Sequence, residues 1–190
     1  MRASERLIIA LDAADLRGAA RVARRLRGVV RCVKIGSAVF TAEGPRAVAR
    51  MRALGFSVFL DLKFHDIPST VEKSCRAAAR LGVTMLTVHA AGGADMIRAA
   101  VAGARDEARR VGRRAPLIVG VTVLTSDGAG PAVRARAMAL AREAVRGGAR
   151  RPTACGHAGR GDTPRRRLSR RGTPRDRGRR SARRRGSDHS

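Results

Sequence analysis

Ten consecutive residues, Asp61-Leu62-Lys63-Phe64-His65-Asp66-Ile67-Pro68-Ser69-Thr70, carry two carboxylates and an ammonium directly behind the apolar run Phe56-Ser57-Val58-Phe59-Leu60. A strand over 56–60 would hand Asp61, Lys63 and Asp66 to one loop, where their charges must be paired or put to use. Alternating acids and ammoniums can hold a water-poor site near neutrality. Such a site can stabilise developing negative charge and deliver a proton. A solvated strand-to-helix turn is the plainer use of the same residues. Pro68-Ser69-Thr70 reads as a helix start, with Ser69 or Thr70 as the cap.

Other polar residues fall at the ends of apolar runs in the same way. Asp12 follows Leu7–Leu11, and Lys34 follows Val29-Val30-Arg31-Cys32-Val33. His89 follows the run 83–88, and Thr122 and Thr125 close the run that begins at Leu117. Between these runs lie segments at helical spacing: 16–26, 45–54, 70–81, 94–111 and 131–146, several of them closed by glycine. Five strand–helix units with nearly all-apolar strands predict an α/β fold with a parallel sheet buried on both faces. A doubly wound sheet and a (β/α)₈ barrel both satisfy that pattern. No G-x-G-x-x-G follows the first strand, and polar residues close five strands in turn, so the barrel is the better reading.

The charge is lopsided, with 41 Lys and Arg against 15 Asp and Glu for a net +26. Residues 1–149 hold 23 Arg, 3 Lys and 12 acids, whereas 150–190 hold 15 Arg and 3 Asp. The expected organisation is a domain over 1–149 and an Arg/Pro/Gly-rich tail over 150–190, whose composition predicts disorder. Such charge suggests a nucleic-acid partner. With no Trp or Tyr and four Phe, however, the stacking platforms of single-strand binders are scarce. Cys32, Cys75 and Cys155 form no C-x-x-C pair, which fits reduced thiols in the cytoplasm. No stretch has the length of a membrane span, and Cys155-Gly156-His157 lacks further ligands at zinc-site spacing.

Phe59 to Thr70 resembles the signature of the orotidine 5′-phosphate decarboxylases, a (β/α)₈ TIM-barrel family. The resemblance extends to Ile9-Ala10-Leu11-Asp12, Val33-Lys34-Ile35-Gly36, Leu86-Thr87-Val88-His89 and Gly120-Val121-Thr122-Val123-Leu124-Thr125-Ser126, and covers about residues 6 to 148. It implies a cofactor-free, metal-free conversion of orotidine 5′-phosphate to UMP by a cytoplasmic homodimer with shared active sites. It implies further that Asp12 binds the ribose and that Lys34, Asp61 and Lys63 form the charged network at the reacting carbon. By the same resemblance Asp66, Ile67 and Thr70 reach the neighbouring subunit's site, and Thr125 contacts the pyrimidine. Taken without the resemblance, Asp12 could cap the first helix and Lys34 could be a surface lysine. His65 and His89 read as hydrogen-bonded packing residues. A metal-dependent sugar-phosphate decarboxylase or aldolase, or a basic nucleic-acid-binding protein, are the alternatives in function.

Only five barrel units are legible. A sixth strand is due near Ala149, and 150–190 show neither its pattern nor the Gly-Arg pair that the resemblance implies for the phosphate. Arg-heavy usage is the expected product of high-GC coding sequence read out of frame, and a frameshift near Ala149 is the expectation for the tail.

Overall fold

The computed structural model describes residues 7–150. Of the expected tail, 150–190, all but Arg150 lies outside the described residues. Five strands form one sheet: β1 (Ile8–Ala10), β2 (Cys32–Gly36), β3 (Ser57–Phe64), β4 (Met85–His89) and β5 (Leu117–Val121). All neighbours are parallel and follow chain order, β1-β2-β3-β4-β5. A doubly wound sheet reverses direction at a switch point, so unbroken sequential order leaves the barrel as the architecture these strands belong to.

Six helices cover the strands: α1 (Leu16–Arg25), α2 (Ser37–Glu43), α3 (Pro45–Ala53), α4 (Pro68–Leu81), α5 (Gly93–Arg110) and α6 (Pro131–Arg146). Sheet and helices meet over a core that includes Leu11, Val33, Ile35, Val48, Val58, Leu60, Leu86, Val88 and Ile97, each almost wholly buried. Gly120 is where α6 comes closest to the sheet, since a Cβ there would run into the Ala144 side chain. That close approach explains a glycine inside an otherwise β-branched strand.

Four expectations are corrected. The second strand begins at Cys32, not Val29: the amides of Val29 and Val30 both bond to the Leu26 carbonyl, so these residues finish the turn out of α1. Lys34 therefore lies within β2 rather than behind it. β3 continues through Asp61 and Lys63 to Phe64, so those two residues are strand residues, not loop residues. α4 starts at Pro68, with Ile67 rather than Ser69 or Thr70 in the capping position. Proline's fixed φ and missing N–H suit the first helical position, which displaces the expected hydroxyl cap. Lastly, α2 was not legible. Its seven residues, Ser37-Ala38-Val39-Phe40-Thr41-Ala42-Glu43, bury chiefly Val39, too narrow an apolar stripe to show a period.

No sixth strand is assigned among the described residues; after α6 the Arg150 amide donates to the Ile118 carbonyl of β5 at 2.9 Å.

Candidate active site

The site grows from an irregularity in β3. Pairing with β4 runs through Phe59 and Leu60, shifts, and resumes at Phe64 opposite Val88. Within that shift Lys63 adopts φ +49, the only positive φ among the described non-glycine residues. A lysine held in the left-handed region costs of order 1 kcal/mol and persists where its surroundings over-determine it. Two of those surroundings are visible. The Lys63 amide donates to Thr87 Oγ1 at 2.8 Å, and the Lys63 ammonium donates to Asp61 Oδ1 at 3.0 Å. The bulge thus brings residues two apart, which in a regular strand share a face without touching, into direct contact.

Asp61 is the hub. Its carboxylate is largely buried, taking Lys63 and the Thr87 hydroxyl (3.0 Å) on Oδ1 and the Lys34 ammonium (3.1 Å) on Oδ2. Lys34 arrives from β2, where Gly36 pairs with Asp61 in register. Burial pushes the Asp61 carboxyl up, but the hydrogen bonds from Lys63, Lys34 and Thr87 outweigh it and hold the group below its ordinary 3.8. One buried anion between two half-exposed cations leaves the cluster with a surplus positive charge directed into open space. That space is a cavity of about 490 Å³ lined by Asp12, Lys34, Gly36, Ser37, Asp61 and Lys63, among others. Such a cavity is large enough for a nucleotide-sized anion.

The remaining candidates fall into two groups. Asp12 lies exposed on the cavity wall and does not cap α1; that task falls to Asp15, which accepts the Gly18 amide at 2.7 Å. Asp66, Ile67 and Thr70 stand apart from the cluster. Asp66 accepts the amide of Ile67 at 2.6 Å, Ile67 is 64 % exposed, and Thr70 is exposed in the first turn of α4. Thr125 is placed in a short 3₁₀ turn, Thr125–Asp127, behind β5. His65 and His89 stack with ring centroids 5.3 Å apart. Burial, then the positive charges of His65 and Arg136, depress the His89 imidazole below 6.5. His89 also accepts the Ala91 amide at 3.4 Å, as the packing reading expects, whereas His65 is exposed. Thr87 was the functional residue missed; a lone hydroxyl in the apolar run Met85-Leu86-Thr87-Val88 was the signal that could have found it.

Among the described residues no group of three or more His, Cys, Asp or Glu side chains could hold a metal ion. Nor is any helix among them long and apolar enough to cross a membrane.

A sequential parallel sheet with helices outside, and a lysine–aspartate–lysine cluster on the adjacent strands β2 and β3, are features of the TIM-barrel class, whose sites lie at the carboxyl ends of the strands. The chain matches the orotidine 5′-phosphate decarboxylase / HUMPS family over residues 5–160, and it belongs to that family. It is 50 % identical over 126 residues to the orotidine 5′-phosphate decarboxylase of Moorella thermoacetica, covering 66 % of this chain and 50 % of that protein. With the enzyme of the same name from Paramagnetospirillum magneticum it shares 47 % over 118 residues, 62 % of this chain and 50 % of that protein. The chain therefore spans about half the length of the curated relatives it matches. Among solved structures it resembles the orotidine 5′-phosphate decarboxylase of Lactobacillus acidophilus at a TM-score of 0.65 and 31 % identity, covering 76 % of this chain and 69 % of that one. An uncharacterized conserved protein from Geobacillus kaustophilus gives 0.68 and 36 %, covering 75 % of this chain and 70 % of that one.

Proposed function

We propose that this chain carries the reacting-carbon end of a site that decarboxylates orotidine 5′-phosphate to UMP without a cofactor, a step of pyrimidine synthesis. The observation that carries the reading is the Lys34–Asp61–Lys63 cluster, with both Asp61 oxygens engaged at about 3 Å and the Lys63 ammonium facing the cavity. Breaking the bond from C6 to its carboxylate leaves an electron pair on C6 with no cofactor to accept it. Preorganised charge in a site shielded from water must supply the stabilisation. A substrate carboxylate set beside ionised Asp61 is repelled by like charge, and that repulsion disappears as CO₂ leaves. The Lys63 ammonium stabilises the electron pair and then transfers its proton to C6 as general acid; neutral Lys63 recovers a proton from water. Lys34 bonds the far oxygen of Asp61, keeping the carboxylate ionised and fixed.

In this reading Asp12 meets the ribose, which its position on the cavity wall supports, and Thr125 meets the pyrimidine. The exposure of Asp66, Ile67 and Thr70, away from their own cluster, supports a homodimer in which they complete the neighbour's site. The working compartment in this reading is the cytoplasm. The test is UMP formation from orotidine 5′-phosphate in EDTA by the 190-residue chain. Alongside it runs a fusion continuing after Ala149 with the remaining barrel strands of the Moorella thermoacetica relative. Lys63→Ala should abolish turnover in whichever form is active. Inactivity of both forms, or a Lys63→Ala protein with substantial turnover, overturns the proposal.

A further inference from the structure

The arginines of the described helices differ in their ion-pair partners. On α4 and α5 five are neutralised: Arg76 pairs with Glu72 and Asp106, Arg80 and Arg110 with Glu107, Arg98 with Asp95, and Arg109 with Asp106. Arg105 on α5 and Arg134, Arg136 and Arg142 on α6 are exposed without an ion pair among the described residues, but they are scattered around their helices rather than aligned. Six on α1 and α3 form a denser, aligned set. Arg17, Arg21, Arg24 and Arg25 on α1, and Arg46 and Arg50 on α3, are all exposed. None of the six makes an ion pair with a carboxylate among the described residues. The two acids within residues 13–56, Asp15 and Glu43, are engaged instead by the backbone amides of Gly18 and Leu16.

These six side chains share a surface. The α1 arginines recur at i, i+4, i+7 and i+8, a single stripe opposite the buried Ala19, Ala20 and Ala23. Arg46 and Arg50 repeat the i, i+4 spacing on α3, which packs beside α1 and buries Ala47, Val48 and Met51. At about 1.5 Å per residue the α1 stripe runs about 12 Å from Arg17 to Arg25, between three and four phosphate spacings along one strand of a duplex. Guanidinium groups are well suited to phosphate oxygens. The exposed aliphatic neighbour is Val22, and no aromatic residue lies in 16–25 or 45–53. Helices that settle into a membrane interface present Trp, Phe or Leu there, so the face suits a nucleic-acid backbone better than a lipid surface.

We propose that the outer face of α1 and α3 is a docking surface for the phosphate backbone of nucleic acid, sequence-independent and separate from the decarboxylation site. The surface does not depend on the Lys63 reading. Its test is binding of a labelled 30-base-pair DNA of random sequence to the full chain between 50 and 200 mM KCl. Two triple variants with the same net charge are compared: Arg17→Gln/Arg21→Gln/Arg50→Gln, and Arg98→Gln/Arg109→Gln/Arg146→Gln. The first should weaken binding at least tenfold at 100 mM salt. It should also flatten the log–log salt dependence by about 2.7, at about 0.9 for each phosphate no longer neutralised. The second should stay within twofold, and Arg17→Lys/Arg21→Lys/Arg50→Lys should retain binding because it retains charge. Equal losses in the two glutamine variants would mean that bulk charge or residues 150–190 do the binding, and would overturn the proposal. So would absence of DNA binding, with or without retention on phosphatidylserine vesicles.

Discussion

Replacing Thr87 by valine keeps the volume of a side chain that is 2 % exposed and removes its hydroxyl. Two bonds disappear: the one Thr87 accepts from the Lys63 amide at 2.8 Å and the one it donates to Asp61 at 3.0 Å. A neutral bond contributes about 1 kcal/mol net, a bond to a charged group about 1.5–3, and a buried N–H left without a partner costs about 1–3. These overlap, and valine recovers some apolar burial, so the net loss should be about 3 kcal/mol. With m near 2 kcal/mol/M the urea midpoint should fall by about 1.5 M. The same change frees Lys63 from the contact that holds its φ at +49. Turnover should therefore fall further than stability alone explains. Thr87→Ser, which keeps the hydroxyl, should remain within about 1 kcal/mol of the parent. Urea unfolding of the three proteins checks this. A valine variant within 0.5 kcal/mol of the parent would refute the reasoning that Thr87 supports the bulge.

Three further outcomes rest on the same geometry. Because the Asp61 carboxyl is depressed on folding, it contributes stability that is present above its unfolded value, near 3.8, and is lost as pH falls through the folded value. Asp61→Asn should remove that part of the acid limb from a stability–pH profile, and at neutral pH should destabilise by leaving Lys34 and Lys63 to face each other. Lys63→Gly should be more stable than Lys63→Ala by about 1 kcal/mol in the same unfolding assay, since glycine tolerates positive φ and alanine does not. Burial pushes the Cys75 thiol up to about 12, so iodoacetamide at pH 8 should leave Cys75 unmodified by mass spectrometry until denaturant is added.

How much of the molecule is legible in the sequence depends on how far each signal reaches. The strands were legible because each is a short apolar run bounded by turn residues. The helices α1, α3, α4, α5 and α6 were legible because their apolar positions recur at helical spacing. Sequential strand order was inferable only through the polar residues that close each run, and the parallel ladder bears it out. The bulge in β3 was not legible: Asp61-Leu62-Lys63 alternates like any strand, and the shift arises from β4, where Thr87 offers a hydroxyl to a lysine amide 24 residues earlier. The pairing of Lys34 with Asp61 likewise depends on register between β2 and β3, which no local pattern encodes. The charged residues themselves were visible from type and spacing; their distances and hub were not. Asp66, Ile67 and Thr70 were expected at a neighbour's site; a single chain shows them exposed and contains no neighbour to meet.

In the proposed reaction Lys63, held by Asp61 and the Thr87 bulge, protonates the carbon that loses CO₂. Carrying out the reaction with orotidine 5′-phosphate in D₂O and recording the proton spectrum of the product tests it most directly. UMP should carry deuterium at C6, and Lys63→Ala in the form that is active should give no UMP at all. Release of CO₂ and formation of UMP by the Lys63→Ala protein at the parent rate would contradict it.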